Sequence, residues 1–142
     1  MKKIGIVGGG AMGSGIAQVF AQAGHTVVLY DTNTEALNRS KENLAKTFEK
    51  LVAKEKYTST KAIEIQNNIE YANSLSSFVD VDLVIEAIIE NLDIKKTVFK
   101  EIEKIVSEKC ILASNTSSLS IASIASACNK PERVIGIHFF NP

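Results

Sequence analysis

A glycine-rich hexapeptide, Gly8-Gly9-Gly10-Ala11-Met12-Gly13, follows the apolar run Ile4-Gly5-Ile6-Val7 directly and opens an apolar, Ala-rich segment that closes at Gly24. This order reads as strand, turn and helix. Gly8 permits a tight bend, Gly10 lets a ligand come close to the backbone, and Gly13 lets the helix lie close on the strand. A helix starting here leaves unpaired N–H groups and the positive end of its dipole facing the turn. Such a turn suits the pyrophosphate of a dinucleotide. Glycine spacing alone is a weak signal; the flanking strand and helix make it informative.

Asp31 sharpens the reading. It ends the next apolar run, Thr26-Val27-Val28-Leu29-Tyr30, at about the twenty-residue spacing expected of a ribose-binding acid. A carboxylate there accepts hydrogen bonds from the adenosine ribose and repels a 2′-phosphate. No arginine follows at once, and Arg39 lies further along, so NAD is expected rather than NADP. The competing role for Asp31 is a helix N-cap, for which Thr32, Asn33 and Thr34 serve equally well.

The rest of the chain reads as alternating strands and helices. Apolar runs at 4–7, 26–30, 82–88, 110–113 and 134–137 look like buried parallel strands, with a weaker edge at Ile69-Glu70-Tyr71. Helical spacing runs from Leu37 to about Lys54, from Ile94 to Val106, and from Ser120 to Ala127, with a turn and short helix between Lys54 and Asn68. This pattern gives an α/β fold, a Rossmann-type doubly wound and mostly parallel sheet. With 142 residues, 45% of them hydrophobic, the sequence has material for one compact domain spanning 1–142.

Acids and bases balance at sixteen each, which argues against a nucleic-acid or membrane-surface partner. No apolar stretch reaches the length of a membrane span, and a cytoplasmic or organelle-matrix setting is expected. Cys110 and Cys128 sit in apolar surroundings without metal-ligand spacing, as buried reduced thiols do, and no metal site is expected.

Ligands of open α/β sheets bind at the carboxyl ends of the strands. Four polar clusters fall at such ends: the glycine turn, Glu86 to Asn91, Ser114 to Ser118, and His138 to Asn141. The uncharged loop Ser114-Asn115-Thr116-Ser117-Ser118 is suited to hydrogen-bonding a carboxamide or carbonyl, although Ser118 alone would serve as an ordinary helix cap. His138 is suited to taking a hydroxyl proton, because imidazole titrates near neutrality. His25, in the turn after Gly24, reads as structural.

Four segments, GIVGGGAMGSGIAQVFAQAGHTVVLYD, IEAIIENLDIKKTVF, ASNTSSLSI and IGIHFFNP, together resemble the NAD-binding domain of the L-3-hydroxyacyl-CoA dehydrogenases, the bacterial 3-hydroxybutyryl-CoA enzymes most of all. The resemblance covers essentially the whole chain. It implies hydride transfer between NAD and a (3S)-3-hydroxyacyl-CoA. His138 would be the catalytic base, and Ser117 would hold the reacting oxygen. Asn115 would lie near nicotinamide and substrate. Glu90 and Lys95 would contact the cofactor on its nicotinamide side, and Gly8 through Gly13 with Asp31 would hold the ADP half. Thr47, Lys50 and Lys54, a stripe at helical spacing, would meet the phosphates of CoA; without the resemblance they read as a solvated face.

The resemblance also sets what the sequence lacks. Family members carry an acid beyond the histidine, and a helical domain that supplies a substrate-contacting Asn and builds a homodimer; none of these follows Pro142. The polypeptide is therefore expected to bind NAD and to be nearly inactive alone. Two alternatives remain: a dehydrogenase of a free hydroxy acid or sugar acid, and a non-catalytic NAD-binding module.

Overall fold

The computed structural model describes residues 2–140. Six strands, β1 (Lys3–Val7), β2 (Thr26–Tyr30), β3 (Ile69–Ala72), β4 (Leu83–Glu86), β5 (Ile111–Ser114) and β6 (Val134–Gly136), form one sheet. Their spatial order is β3-β2-β1-β4-β5-β6, and all five pairings are parallel. The order reverses between β1 and β4, which opens a crevice at their carboxyl ends. Helices α1 (Ala11–Gln22), α2 (Thr34–Ala53), α3 (Ser59–Asn67), α4 (Leu92–Glu103) and α5 (Ile121–Ala125) make the crossovers.

The strands read as continuous apolar runs because both faces of the sheet are covered. Ile4, Ile6, Val27, Leu29 and Ile85 pack with Ile16 and Ala17 of α1 and with Leu37, Leu44 and Phe48 of α2. Alternate residues Val7, Val28, Val84 and Leu112 turn to the other face, against Phe99, Ile102 and Ile124. Gly5 has no side chain to offer that second face. The fully buried ring of Phe78, from the 3₁₀ turn Leu75–Phe78, fills the space, and a Cβ at position 5 would stand 3.0 Å from it.

Most of the expected elements are found, with shifted ends. The weak edge at Ile69 is the strand β3, paired with β2. The run expected over 82–88 stops being a strand after Glu86, because the Ile88 N–H donates to the Glu86 carboxylate (2.8 Å) instead of to a neighbouring strand. Asn33 caps α2, so that helix starts before the first leucine of its pattern. It ends without glycine: Glu55 takes the left-handed conformation (φ 60°) just beyond its last turn. Thr58, Asn91 and Ser120 cap α3, α4 and α5. Among the described α-helices, α1 alone starts on a residue without a capping side chain, Gly10.

Cys110 and Cys128 are buried and unpaired, and burial pushes the Cys110 thiol up to about 11. His25 accepts the Lys2 N–H through Nδ1 and packs edge-on to Phe20, the structural part expected of it. Among the described residues no helix is long and apolar enough to cross a membrane.

Candidate active site

The glycine turn leaves β1 through Gly8, whose N–H donates to the Tyr30 carbonyl (2.8 Å) and ties the turn to β2. Gly8 has φ +117°, and a Cβ there would come within 2.5 Å of the Ala87 carbonyl oxygen. At Gly13 a Cβ would fall 1.7 Å from the Gly8 carbonyl oxygen, so helix and turn touch backbone to backbone. Gly10 faces open space, with nothing within 4 Å of its missing Cβ. The first turn of α1, beginning at Ala11 and Met12, therefore keeps its N–H groups accessible to an anion.

Asp31 is fixed from two sides. One carboxylate oxygen accepts the Gly9 N–H and the other accepts the Asn33 N–H, each at 2.8 Å. Asp31 borders the crevice, and the helix cap belongs to Asn33. Gly8, Gly10 and Asp31 line one cavity of about 500 Å³, whose walls are apolar side chains such as Tyr30, Ile94 and Val98.

A second cavity, of about 450 Å³, lies on the other side of the end of β4. Met12, Glu90, Lys95, Asn115, Ser117 and His138 all border it. Ala87 and Ile88 border both cavities, so the two are halves of one cleft, with Gly8 and Gly10 lining the first half and Met12 of α1 the second. An elongated ligand with an anionic centre fits this plan. One half offers a carboxylate in an apolar slot, the middle offers open amides, and the other half offers hydroxyls, an amide and an imidazole.

Beneath the second cavity lies a buried polar network. Glu86 and Lys95 are 0% and 1% exposed and form an ion pair. Glu86 also accepts the Ser114 hydroxyl. The Lys95 ammonium reaches the Ile88 carbonyl (3.3 Å) and Glu90 Oε1 (3.2 Å), so all its protons are used within the chain. Glu90 in turn accepts the hydroxyls of Thr116 (2.6 Å) and Ser118 (3.0 Å). Burial pulls the Glu90 pKa upward, but the hydroxyls of Thr116 and Ser118 and the Lys95 ammonium outweigh it and hold the carboxyl below its ordinary range. Ser118 thus serves Glu90, and Ser120 caps the helix that follows.

His138 lies just beyond β6, after Ile137 has continued the pairing by donating to the Ser114 carbonyl (3.0 Å). Its ring meets that of Phe140 at 4.5 Å between centroids. Among the described residues no carboxylate accepts a hydrogen bond from the imidazole. His138 and Ser117 are both exposed. Asn115 is engaged: its side-chain oxygen accepts the Phe139 N–H (2.7 Å), and its own N–H donates to the Glu86 carbonyl.

The α2 stripe stands apart from both cavities. Thr47 donates to the Asn43 carbonyl (2.9 Å) and borders a separate groove between α1 and α2. Lys50 and Lys54 are exposed, and among the described residues neither pairs with a carboxylate, despite the glutamates interspersed around them.

Residues 3–142 match the family model described as "3-hydroxyacyl-CoA dehydrogenase, NAD binding domain". The chain belongs to this family. The 3-hydroxybutyryl-CoA dehydrogenase of Clostridioides difficile is 44% identical over 140 residues, which are 99% of this chain and 50% of that protein. The mitochondrial hydroxyacyl-coenzyme A dehydrogenase of Homo sapiens is 43% identical, across 100% of this chain and 47% of that protein. The crystal structure of (S)-3-hydroxybutyryl-CoA dehydrogenase from Ralstonia eutropha superposes with a TM-score of 0.96 at 40% identity, covering 100% of this chain and 50% of that one. The chain thus spans about half the length of the curated relatives it matches.

Within this 3-hydroxyacyl-CoA dehydrogenase NAD-binding domain, one part of the site escapes sequence reasoning. Glu86 opens one of the four polar clusters expected at strand ends, but its place at the centre of the pocket's network does not show in the sequence. The available signal was a fully apolar run, Leu83-Val84-Ile85, ending in an acid nine residues before a lysine on an amphipathic helix. A buried acid needs such a partner.

Proposed function

We propose that the parent protein interconverts (3S)-3-hydroxyacyl-CoA and 3-oxoacyl-CoA with NAD, on short chains such as hydroxybutyryl, and that residues 1–142 form its cofactor-binding domain. The observation that carries this reading is the meeting of His138, Ser117, Asn115 and Glu90 in one cavity that joins the Asp31 cavity at Ala87 and Ile88. Bound NAD supplies the hydride acceptor.

The chain's own residues do the rest. Asp31 holds the adenosine ribose and rejects a 2′-phosphate, while the turn from Gly8 to Gly13 receives the pyrophosphate at the open amides where α1 begins. Glu90, with Lys95 behind it, faces the nicotinamide-side ribose. Ser117 hydrogen-bonds the substrate's 3-oxygen, and His138 takes its proton in oxidation or returns it in reduction. Lys50 on α2 and Lys54 just beyond its end, neither paired with a carboxylate among the described residues, attract the phosphates of the CoA handle, with Thr47 alongside. A homodimer, formed through the half of the relatives that this chain does not span, and a cytoplasmic setting complete the proposal.

Two measurements test it. Titrated into this chain, NADH should bind more tightly than NADPH; equal binding would count against Asp31 as the selecting residue. In the full-length enzyme, His138→Gln should leave NADH affinity intact and lower acetoacetyl-CoA reduction by about 10²–10⁴-fold, the scale of a lost general acid. Undiminished turnover in that variant would overturn the assignment.

A further inference from the structure

The polar groups under the second cavity close into a ring. Lys95 bridges Glu86 and Glu90, and Glu90 accepts the Thr116 hydroxyl. The Thr116 N–H donates to the Ser114 hydroxyl oxygen (3.2 Å), and that hydroxyl donates back to Glu86. Five side chains from β4, the loop after it, α4, the end of β5 and the loop beyond are thereby joined in one circuit.

Glu86 is its hub. One of its carboxylate oxygens serves Ser114, and the other serves both Lys95 and the Ile88 N–H. Its backbone carbonyl holds the Asn115 N–H at 2.9 Å. It stands in the wall of the second cavity, but with no exposed surface and both carboxylate oxygens occupied it has nothing left to give a ligand directly. Yet each partner is one covalent step or one contact from a group bordering the cavity. Ser114 precedes Asn115, Lys95 holds Glu90, and Ile88 borders the cavity itself.

A buried ion pair is a poor device for stability alone, because desolvating both charges offsets most of their attraction. We infer that Glu86 is a positioning residue, which sets the nicotinamide half of the cleft through Lys95 and Ser114 without touching the cofactor. The inference rests on the NAD reading above. Neutralising Glu86 would release the Lys95 ammonium from its buried partner, and with it the fixed placement of Glu90 and of the loop from Asn115 to Ser117. The ring touches the Asp31 half at the shared wall residue Ile88, but Asp31 itself is held by Gly9 and Asn33 and the turn by Tyr30, so binding there should change least.

The test compares two ligands on this chain: NADH, which fills both halves, and ADP, which lacks the nicotinamide and its ribose. In Glu86→Gln the Kd for NADH should rise about tenfold, the scale of a lost hydrogen bond to a charged group, with ADP binding nearly unchanged. The emission of bound NADH should weaken as well. Equal loss for both ligands, or no loss for either, would overturn the inference. Ser114→Ala removes a single link of the ring without neutralising the charge pair, and serves if Glu86→Gln does not fold. It should weaken NADH selectively by about threefold; an unchanged ratio between the ligands would overturn the inference. If the unaltered chain binds neither ligand, the NAD reading itself fails, an outcome distinct from the failure of the Glu86 role.

Discussion

The side-chain oxygen of Asn115 accepts the backbone N–H of Phe139 at 2.7 Å, across 24 residues of sequence. The loop after β5 thus holds the segment that carries His138. Asn115→Ala would leave that N–H without its acceptor, at a cost of about 1 kcal/mol. Amide exchange at Phe139 should accelerate while the exchange of β1 and β2 stays at its original rate. Unchanged protection of Phe139 would show that the segment is held by its apolar contacts instead.

The glycines of the first turn should separate folding from binding. In Gly13→Ala the added carbon meets a backbone oxygen at 1.7 Å, which neither flexible side chains nor small shifts can relieve. The loss should exceed about 3 kcal/mol, seen as a lowered Tm or failure to accumulate. Gly10→Ala has open space and an ordinary φ of −75°. Its Tm should hold, while NADH affinity falls about tenfold because a methyl group occupies the approach to the turn.

Glu103 gives a pH prediction. Its side chain is 9% exposed; it accepts the N–H groups of Asn129 (2.7 Å) and Lys130 (3.0 Å) and lies beside Arg133. Burial raises its pKa, but those hydrogen bonds and the guanidinium outweigh burial, so the folded pKa is depressed. A depressed pKa means stability that is fully present above the unfolded carboxylate value and lost as pH falls through the folded one. Glu103→Gln should therefore destabilise the domain at about pH 7, and the difference from the unaltered chain should shrink toward zero near about pH 2. Urea melts at both values read this directly, and a difference that persists in acid would mean packing rather than charge.

Lys50 and Lys54 should matter only to a substrate that carries phosphates. In the full-length enzyme each Lys→Ala change should raise the KM for acetoacetyl-CoA by about two- to fivefold, with kcat nearly unchanged. Added salt should shrink the effect. A pantetheine thioester without the nucleotide should show no change. Equal KM shifts for both substrates would return the stripe to a solvated helix face.

The parts of the fold driven by periodicity were legible in advance. Apolar runs found the strands because both faces of the sheet are covered, and the glycine turn showed itself because only glycine fits backbone contacts of 2.5 and 1.7 Å. Element ends were less visible. The left-handed residue closing α2 is Glu55, not glycine, and β4 ends where its own carboxylate takes the next N–H. In the site, a distinctive local motif marked His138. The role of Glu86 did not show, because it depends on partners 9 and 28 residues away that only the fold brings together. The Asn115–Phe139 bond is hidden for the same reason, since no spacing rule connects two loops at adjacent strand ends.

All six strands run the same way, so the molecule has two unlike rims. The groups bordering the cleft leave the strands at one rim. At the other, Lys3 holds Asp80 and Asp82, and Arg133 clasps the carbonyls of Ser107 and Cys110. Labour is divided by direction: one edge carries the groups a ligand would meet, while the opposite edge keeps the layers laced together.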